Sequence, residues 1–338
     1  MIGYITLLRA TTMIFVLLIH ITAAMLSQEL SVTWWVGNFF DGISRFSVPV
    51  YLMISGALLL SKDEPIKTFF HKRMSKIMIP FLFWVSFYVV WYHVKDLSSL
   101  SVGTFIREWL SDGSYYHLWF LFTIIGLYLT IPILRKVTQQ SDIKIAIYFV
   151  VIWFVATAIS GLFSHFAGYS HGFRLDMFKG FTGYLLLGYI LTKIEITPII
   201  ERIAYILGSI GLFFTLYGTY IYKLENGSFT GFWYGNLTFT TIFVALAVFV
   251  FFKQRFKNYQ PGKLVNKMSE ASFGIFLIHP FILSIFASST FEQIVGFKIY
   301  YTLGHPVVGV LISLICLYIT SFVAVLIIQK IPYLRRIV

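Results

Sequence analysis

The sequence predicts an all-α, polytopic integral membrane protein with about ten transmembrane helices and both termini in the cytoplasm. The first observation behind this fold class is composition: 58% of the 338 residues are hydrophobic, 12% are charged, and the mean hydropathy is +0.81. These values lie outside the range of soluble globular domains. The 26 Lys and Arg exceed the 14 Asp and Glu, but they lie between apolar runs and form no basic stripe, so we expect no nucleic-acid partner.

The second observation is a series of apolar windows, each of about the length that crosses a bilayer. They lie at about 4–25, 46–60, 77–94, 117–134, 143–160, 179–192, 200–222, 234–252, 270–288 and 305–328. The window at 46–60 is short for a span, and we therefore expect its helix to begin upstream, in the stretch WWVGNFFDGISR. No connection between the windows leaves room for a separate soluble domain, so residues 1–338 are predicted to form one transmembrane domain.

The third observation is that Lys and Arg are concentrated in alternate connections between the windows. Most of them lie in the connections at 61–76, 135–144, 193–202 and 253–269 and after residue 328. Because cytoplasmic loops carry the excess of positive charge, both termini are predicted to be cytoplasmic. The expected location is the cell membrane, plasma or inner, with the lipid bilayer as surroundings.

The first window carries two ionisable side chains, Arg9 and His20, eleven positions apart. In an α-helix this is almost three turns, so both project from one face, about 16 Å apart along the axis. Ionisable groups within a membrane span usually face a protein interior or a wet cavity, so this face predicts a polar path. Alternatively, Arg9 snorkels to a lipid head group and His20 is a hydrogen-bonded bundle histidine. A cleaved signal peptide is the less favoured interpretation of this window, because it approaches spanning length and nine more follow.

Motifs of soluble enzymes are absent from the sequence: it has no G-x-G-x-x-G, G-x-x-x-x-G-K-[ST], H-E-x-x-H or G-x-S-x-G. The single cysteine, Cys316, excludes an intramolecular disulfide and a cysteine-based metal cluster, and no metal cofactor is expected. Any chemistry must therefore come from dispersed polar residues.

Two groups of polar residues suit one particular chemistry. Lys72, Arg73 and Lys76 form a positive cluster at the inner end of the third window, and such donors hold phosphate or pyrophosphate. His20 lies near the outer face and can take a proton from a hydroxyl at neutral pH. This pairing fits an acyl-CoA donor whose nucleotide end is held inside and whose thioester arm follows the face from Arg9 to His20.

Five stretches in order resemble the membrane-bound acyltransferase-3 family, most closely its short branch of surface-polysaccharide O-acetyltransferases. The first stretch contains the R-x10-H pattern of the family, formed here by Arg9 and His20. The other four stretches are SRFSVPVYLMISGALLL, KRMSKIMIPFLFW, HLWFLFTIIGLYLTIPIL and SFGIFLIHPF. The resemblance covers about residues 4–328. It implies transfer of an acyl group, usually acetyl, from cytoplasmic acyl-CoA to a hydroxyl of a glycan or lipid-linked sugar at the outer face.

The resemblance also implies a role for individual residues. His20 would be the catalytic residue, as general base or as a transient acyl carrier. The donor would be held by Arg9, Lys72, Arg73 and Lys76, and the candidate acceptor-binding residues are Arg45, His117, Ser55 and His279. Ser55 beside Gly56 also suits close helix packing, and His279 before Pro280 also suits a structural hydrogen bond. Both interpretations stay open, and no oligomeric state is predicted.

The chain departs from the family pattern at two places. The basic pair often found as R-x-x-R reads Arg73-Met-Ser-Lys76 here, which keeps the charge but loses one guanidinium fork. A glutamate that many relatives carry after the His-Leu-Trp motif is replaced by Ile124. The main alternative function is a transporter or flippase for a lipid-linked sugar or polysaccharide, which would need a wide cavity and typically alternating access between repeats.

Overall fold

The computed structural model of the protein describes residues 2–111, 115–140, 142–168 and 174–338. Within these ranges the secondary structure consists of α-helices with short 3-10 and π segments, and no β-strand occurs. The α-helices are α1 Gly3–Thr22, α2 Val32–Gly42, α3 Ser47–Leu59, α4 Ile66–Tyr92, α5 Val102–Leu110, α6 Trp119–Gln140, α7 Ile143–Phe154, α8 Ser160–Ala167, α9 Thr182–Lys193, α10 Pro198–Asn226, α11 Phe239–Arg255, α12 Lys263–Phe286, α13 Ser289–Val295 and α14 Pro306–Lys330.

Eight helical segments of the described residues are long and apolar enough to cross a membrane. They are Gly3–Ser27, Val32–Leu59, Ile66–Tyr92, Trp119–Gln140, Ile143–Ala167, Pro198–Asn226, Lys263–Phe286 and Pro306–Lys330. The prediction of an all-α polytopic membrane protein is confirmed. Two of the ten predicted windows, at 179–192 and 234–252, instead form α9 and α11, with 12 and 17 residues. At 1.5 Å per residue, α9 is about 18 Å long, which is shorter than the hydrocarbon core of a bilayer.

The short helix α9 is stabilised by contact with protein, chiefly with α3. Gly56 of α3 lies so close to α9 that an added Cβ would overlap the backbone of Leu185, and Gly188 of α9 lies equally close to the backbone of Met53. Glycine on both helices thus allows the two backbones to approach, as is common between membrane helices. Gly56 thus lies at a close contact between two helices.

Two helix boundaries differ from the predicted windows in ways that affect the functional residues. The second span begins at Val32, upstream of the window as expected, and a turn between α2 and α3 places Arg45 at the bend. The third span begins at Ile66 and not at 77, because its first turns are polar but still helical. Lys72, Arg73 and Lys76 therefore lie on helix α4.

Helix α1 lies in the interior of the bundle, where it packs against α2, α3, α11, α12 and α14. Its fully buried apolar side chains are Ile5, Leu8, Met13, Leu17 and Ile21. Residues of its first half join a hydrophobic cluster with α3, α9 and α11, and residues of its second half join a cluster with α4, α12 and α14. The face of α1 that carries Arg9 and His20 consequently faces other helices.

Candidate active site

A cavity of about 660 Å³ lies at one end of the bundle. It is formed where α1 and α12 end, where α3 and α6 begin, and where the connections before α11 and α14 pass over them. All of these chain ends belong to the side that the charge distribution assigns to the exterior. The polar side chains that line the cavity include His20, Arg45, Tyr51, Tyr116, His117 and Tyr234.

Three histidines from distant parts of the chain meet beside this cavity. His20 lies in the last turn of α1, His117 in the turn before α6, and His279 on α12. The ring centroids of His20 and His279 are 5.0 Å apart, and those of His117 and His279 are 5.8 Å apart. His20 and His117 line the cavity, whereas His279 lies behind its wall and is 0% exposed. The structure thus brings together three side chains that the sequence analysis could only consider one at a time.

The hydrogen bonds of the histidines differ. His279 Nδ1 lies 3.0 Å from the carbonyl oxygen of Ile275. Because a carbonyl oxygen only accepts, Nδ1 must carry the hydrogen, and Nε2 of the neutral ring is left with a lone pair. His279 Nε2 and both ring nitrogens of His117 are buried without a hydrogen-bonding partner among the described residues. Buried polar atoms are rarely left unpaired, and such atoms beside a cavity point to a function there.

Arg45 is fixed at the cavity wall by a network that the sequence analysis missed. Its Nε donates to Oδ1 of Asp41, one helical turn earlier, and its guanidinium group lies 4.6 Å from the centre of the Tyr234 ring. The Tyr234 hydroxyl in turn donates to Asn38, at 3.1 Å for the backbone oxygen. Asp41 is fully buried, while the Arg45 side chain is 22% exposed. The i, i+4 spacing of Asp41 and Arg45 was the available signal in the sequence.

A second group of polar residues surrounds the inner half of α1. The Tyr51 hydroxyl donates to the backbone oxygen of Arg9 at 3.1 Å. Both Arg9 and Arg73 lie close enough to the Tyr128 hydroxyl for their charges to act on it. Nε of Arg73 is buried and has no hydrogen-bonding partner among the described residues. Arg9 of α1 and Arg73 of α4 thus both lie near Tyr128 of α6.

The two lysines predicted to join them lie elsewhere on α4. Lys72 is largely exposed, and its Nζ lies 3.2 Å from Oε2 of Glu64. Lys76 is also exposed. Of the predicted cluster, Arg73 is the residue that is partly buried, and its Nε is shielded from solvent.

Glu64 links the start of α4 to α6, a contact that the sequence did not indicate. Nη2 of the buried Arg135 donates to Oε1 of Glu64 at 2.9 Å, and Nε of Arg135 donates to the carbonyl oxygen of Leu59 at 2.9 Å. Burial acts to raise the pKa of Glu64, but hydrogen bonds from Arg135 and Lys72 outweigh it and hold that pKa below its usual value.

Ser55 is not among the described residues that line the cavity. Its hydroxyl donates to the backbone oxygen of Tyr51 at 3.0 Å, one turn earlier on α3. This hydrogen bond and the neighbouring contact of Gly56 favour packing over acceptor binding. Ile124 is 6% exposed within a hydrophobic cluster, which suits its apolar side chain.

A side chain of α4 joins the backbone hydrogen bonding of α12 beside His279. The Tyr88 hydroxyl of α4 donates to the backbone oxygen of Leu277 at 2.7 Å and accepts from the backbone N–H of Phe281 at 3.2 Å. In a regular α-helix Phe281 would donate directly to Leu277. The Tyr88 hydroxyl therefore stands inside the hydrogen-bond ladder of α12, next to Pro280.

A family model described as an acyltransferase domain, that of the acyltransferase-3 family, matches residues 2–329. It includes every residue of the outer cavity and of the group around Arg9 and Arg73. No curated protein and no solved structure matches the chain.

Proposed function

The chain belongs to the acyltransferase-3 family and is a multi-pass membrane acyltransferase; we propose that its donor is cytoplasmic acyl-CoA, usually acetyl-CoA. The acceptor is a hydroxyl of a cell-surface glycan or lipid-linked sugar at the outer face of the cell membrane. The observation that carries this proposal is that one continuous helix, α1, has His20 at the outer cavity and Arg9 in its inner half, where Arg9 and Arg73 both lie near Tyr128. The site thereby offers a base on the acceptor side and cations on the donor side.

On the donor side, Arg9 and Arg73 bind phosphate oxygens of the acyl-CoA. Guanidinium groups suit phosphate because their planar fork donates two parallel hydrogen bonds. The unpaired, buried Nε of Arg73 supports this role, since a phosphate oxygen would supply the partner it lacks. Lys72 and Lys76 lie further out and add positive charge at the entrance.

The acyl group then travels as the end of a thin thioester arm along the Arg9–His20 face. A helix rise of 1.5 Å per residue separates the two residues by about 16 Å along the axis. The donor thus remains bound at its phosphates while its carbonyl carbon reaches the outer cavity. No large movement of the protein is needed for this transfer, in contrast to a flippase, which must pass a whole sugar.

At the outer end, His20 takes the proton of the acceptor hydroxyl while the hydroxyl oxygen forms a bond to the thioester carbonyl carbon. The carbon–sulfur bond breaks, and the departing sulfur receives the proton from His20 to give the free thiol. In the covalent variant, a His20 nitrogen first takes the acyl group with loss of the thiol, and the acceptor hydroxyl then attacks the acyl-imidazole. Both routes begin with a neutral imidazole.

The acceptor occupies the cavity of about 660 Å³, which is within the usual size range of small-molecule sites. Arg45 and His117 supply hydrogen-bond donors at its wall, and His117 has both ring nitrogens free. Aromatic side chains cover much of the rest, among them Tyr116, Trp119, Tyr234 and Tyr300. Flat aromatic faces with polar edges suit a sugar, which has apolar faces and hydroxyl edges.

The experiment that tests this proposal uses purified protein in nanodiscs with radiolabelled acetyl-CoA. Candidate acceptors are a panel of envelope glycans and short lipid-linked saccharides, and the product is measured as base-labile radiolabel on the sugar. Transfer to a sugar by the wild type, absent without acceptor, is the expected result. Absence of transfer together with movement of a lipid-linked sugar across the bilayer would favour the flippase.

A further inference from the structure

Tyr88 of α4 is hydrogen-bonded to the backbone of α12 on both sides of Pro280. Pro280 has no N–H, so the carbonyl four residues earlier, that of Phe276, has no helical donor. The next pair in the ladder, Leu277 and Phe281, is joined through the Tyr88 hydroxyl at 2.7 and 3.2 Å. Within a membrane, water is not available to satisfy freed backbone groups, so another helix has to do so. One hydroxyl of α4 therefore supplies both a donor and an acceptor to the backbone of α12 at this turn.

This turn is the part of α12 that carries His279. Nδ1 of His279 donates to Ile275 at 3.0 Å. This contact keeps the hydrogen on Nδ1 and the lone pair on Nε2. His279 Nε2 is buried without a partner, and the ring lies 5.0 Å from that of His20. A fixed hydrogen-bond acceptor thus faces the residue proposed to act on the substrate.

Tyr88 also contacts the other elements of the site. Its ring stacks on Tyr115 at 4.5 Å and meets the edge of His117 at 4.8 Å. The Tyr88 side chain is 0% exposed. Tyr88 contacts α12 through its hydroxyl and His117 through its ring. A substitution of Tyr88 should therefore alter the surroundings of both His279 and His117.

We propose that His279 is a positioning residue for His20, and that Tyr88 acts through His279. In the complex with substrates, Nε2 of His279 accepts a hydrogen bond from one ring nitrogen of His20, which leaves the other nitrogen unprotonated and directed at the acceptor hydroxyl. Such hydrogen bonds are often long without substrate and shorten when it binds. The inference rests on the proposed function, because it assigns how the proposed base is held.

A positioning role and a direct role in proton transfer predict different effects when His279 is substituted. Glutamine has an amide oxygen near the place of Nε2 and can accept a hydrogen bond, but it does not titrate. Leucine has a similar volume and cannot accept one. If His279 only orients His20, glutamine should preserve much of the activity that leucine abolishes.

The test measures kcat, the donor KM and acyl-CoA binding for His279→Leu, His279→Gln, Tyr88→Phe and the double variant Tyr88→Phe/His279→Leu. We expect kcat to fall about tenfold to a hundredfold for His279→Leu and Tyr88→Phe, as a misplaced reacting group costs up to roughly that much. Acyl-CoA binding, which also reports folding, should stay within about twofold, because a group that acts on the reacting centre leaves donor binding largely unchanged. His279→Gln should keep most of the wild-type kcat.

The double variant tests whether Tyr88 acts through His279. It should be no slower than His279→Leu, because two residues of one pathway give non-additive effects. The matched control is Tyr189→Phe, which also removes a buried tyrosine hydroxyl that donates to a backbone carbonyl, that of Thr138 at 3.0 Å. It should retain the wild-type kcat.

Several results would overturn the inference. These are an unchanged kcat in His279→Leu, a His279→Gln variant as slow as His279→Leu, or a double variant whose loss is the product of the two single losses. If the wild type itself transfers no acyl group to any acceptor, the proposed function fails and this inference fails with it. Wild-type transfer together with full activity of folded His279→Leu contradicts the inference alone.

Discussion

His20 and His279, near opposite ends of the chain, have their rings 5.0 Å apart beside the outer cavity. This pair is formed because α1 and α12 pack along each other in the centre of the bundle. His20 lines the cavity, while His279 is fully buried behind it. The arrangement separates a histidine that can touch substrate from one that can only act on its neighbour.

The first prediction concerns Arg73 and the phosphates of the donor. Arg73→Ala should weaken acyl-CoA binding about tenfold or more, because a hydrogen bond to a charged group contributes roughly 1.5–3 kcal/mol. Binding of a donor without the 3′-phosphate should be less affected if Arg73 grips that group. Isothermal titration calorimetry with both ligands measures the difference. Lys72→Ala is the matched control, since Lys72 is exposed and paired with Glu64, and an equal loss in both variants would contradict a specific role of Arg73.

The second prediction concerns Asp41, which orients Arg45 at the cavity wall. Asp41→Asn should raise the acceptor KM about tenfold, because the charge-assisted contact it removes is worth roughly 1.5–3 kcal/mol. The donor KM should not change, since the donor phosphates are bound at the other end of α1. Steady-state kinetics with each substrate varied in turn checks this. Asp176→Asn, which breaks an exposed pair with Lys179, serves as control; a raised donor KM in Asp41→Asn would refute the assignment of Arg45 to the acceptor.

The sequence predicted the fold class and most spans because apolar windows and their flanking charges are local signals. It placed Arg9 and His20 correctly on one helix, since a helical face depends only on spacing. It did not predict that α4 begins at Ile66, because the first turns of α4 lie outside the apolar window. Hydropathy does not mark a helix that continues beyond the membrane.

Most contacts of the site could not be read from the sequence, because they join residues far apart in the chain. Nothing local connects Tyr88 with Leu277 or Arg135 with Glu64. The same holds for α9, whose twelve residues are short for a bilayer and whose backbone lies against Gly56. The contact between Asp41 and Arg45 is the exception, since residues four apart in the sequence are neighbours on a helix.

The third prediction concerns the pH dependence of stability through Glu64. Its pKa is lower in the folded protein than in the unfolded chain, so its contribution to stability is present above the unfolded pKa, about 4.3. This contribution is lost as the pH falls through the still lower folded pKa. Wild-type Tm in detergent should therefore drop more steeply below about pH 5 than that of Glu64→Gln. Parallel Tm curves between pH 7 and pH 3.5 for the two proteins would contradict the contribution of Glu64.

The fourth prediction concerns topology, on which the assignment of donor and acceptor sides depends. In a Cys316→Ser background, a cysteine at Lys257 should react with an impermeant thiol reagent only after cells are permeabilised, because positive charge marks cytoplasmic connections. A cysteine at the exposed Ser228, which follows α10, should react in intact cells. The opposite pattern at the two positions would invert the donor and acceptor sides.

The fifth prediction addresses Arg9 and His20, the two ends of the proposed path. His20→Ala should lose transfer by at least about a hundredfold to ten-thousandfold, the usual contribution of a positioned base, and still bind acyl-CoA. Arg9→Ala should chiefly raise the donor concentration needed for half-maximal rate, because it removes a contact to the bound donor. Two different kinetic signatures on one helix would show that the residues serve opposite ends of one molecule.

Acyl-CoA binding and acylated-sugar formation, measured in the same nanodisc preparation for wild type, His20→Ala and Arg9→Ala, therefore test the proposed function most sharply. We expect the wild type to bind and transfer, His20→Ala to bind without transferring, and Arg9→Ala to bind more weakly. Wild-type rates of transfer in His20→Ala protein that still binds acyl-CoA would contradict the proposed function.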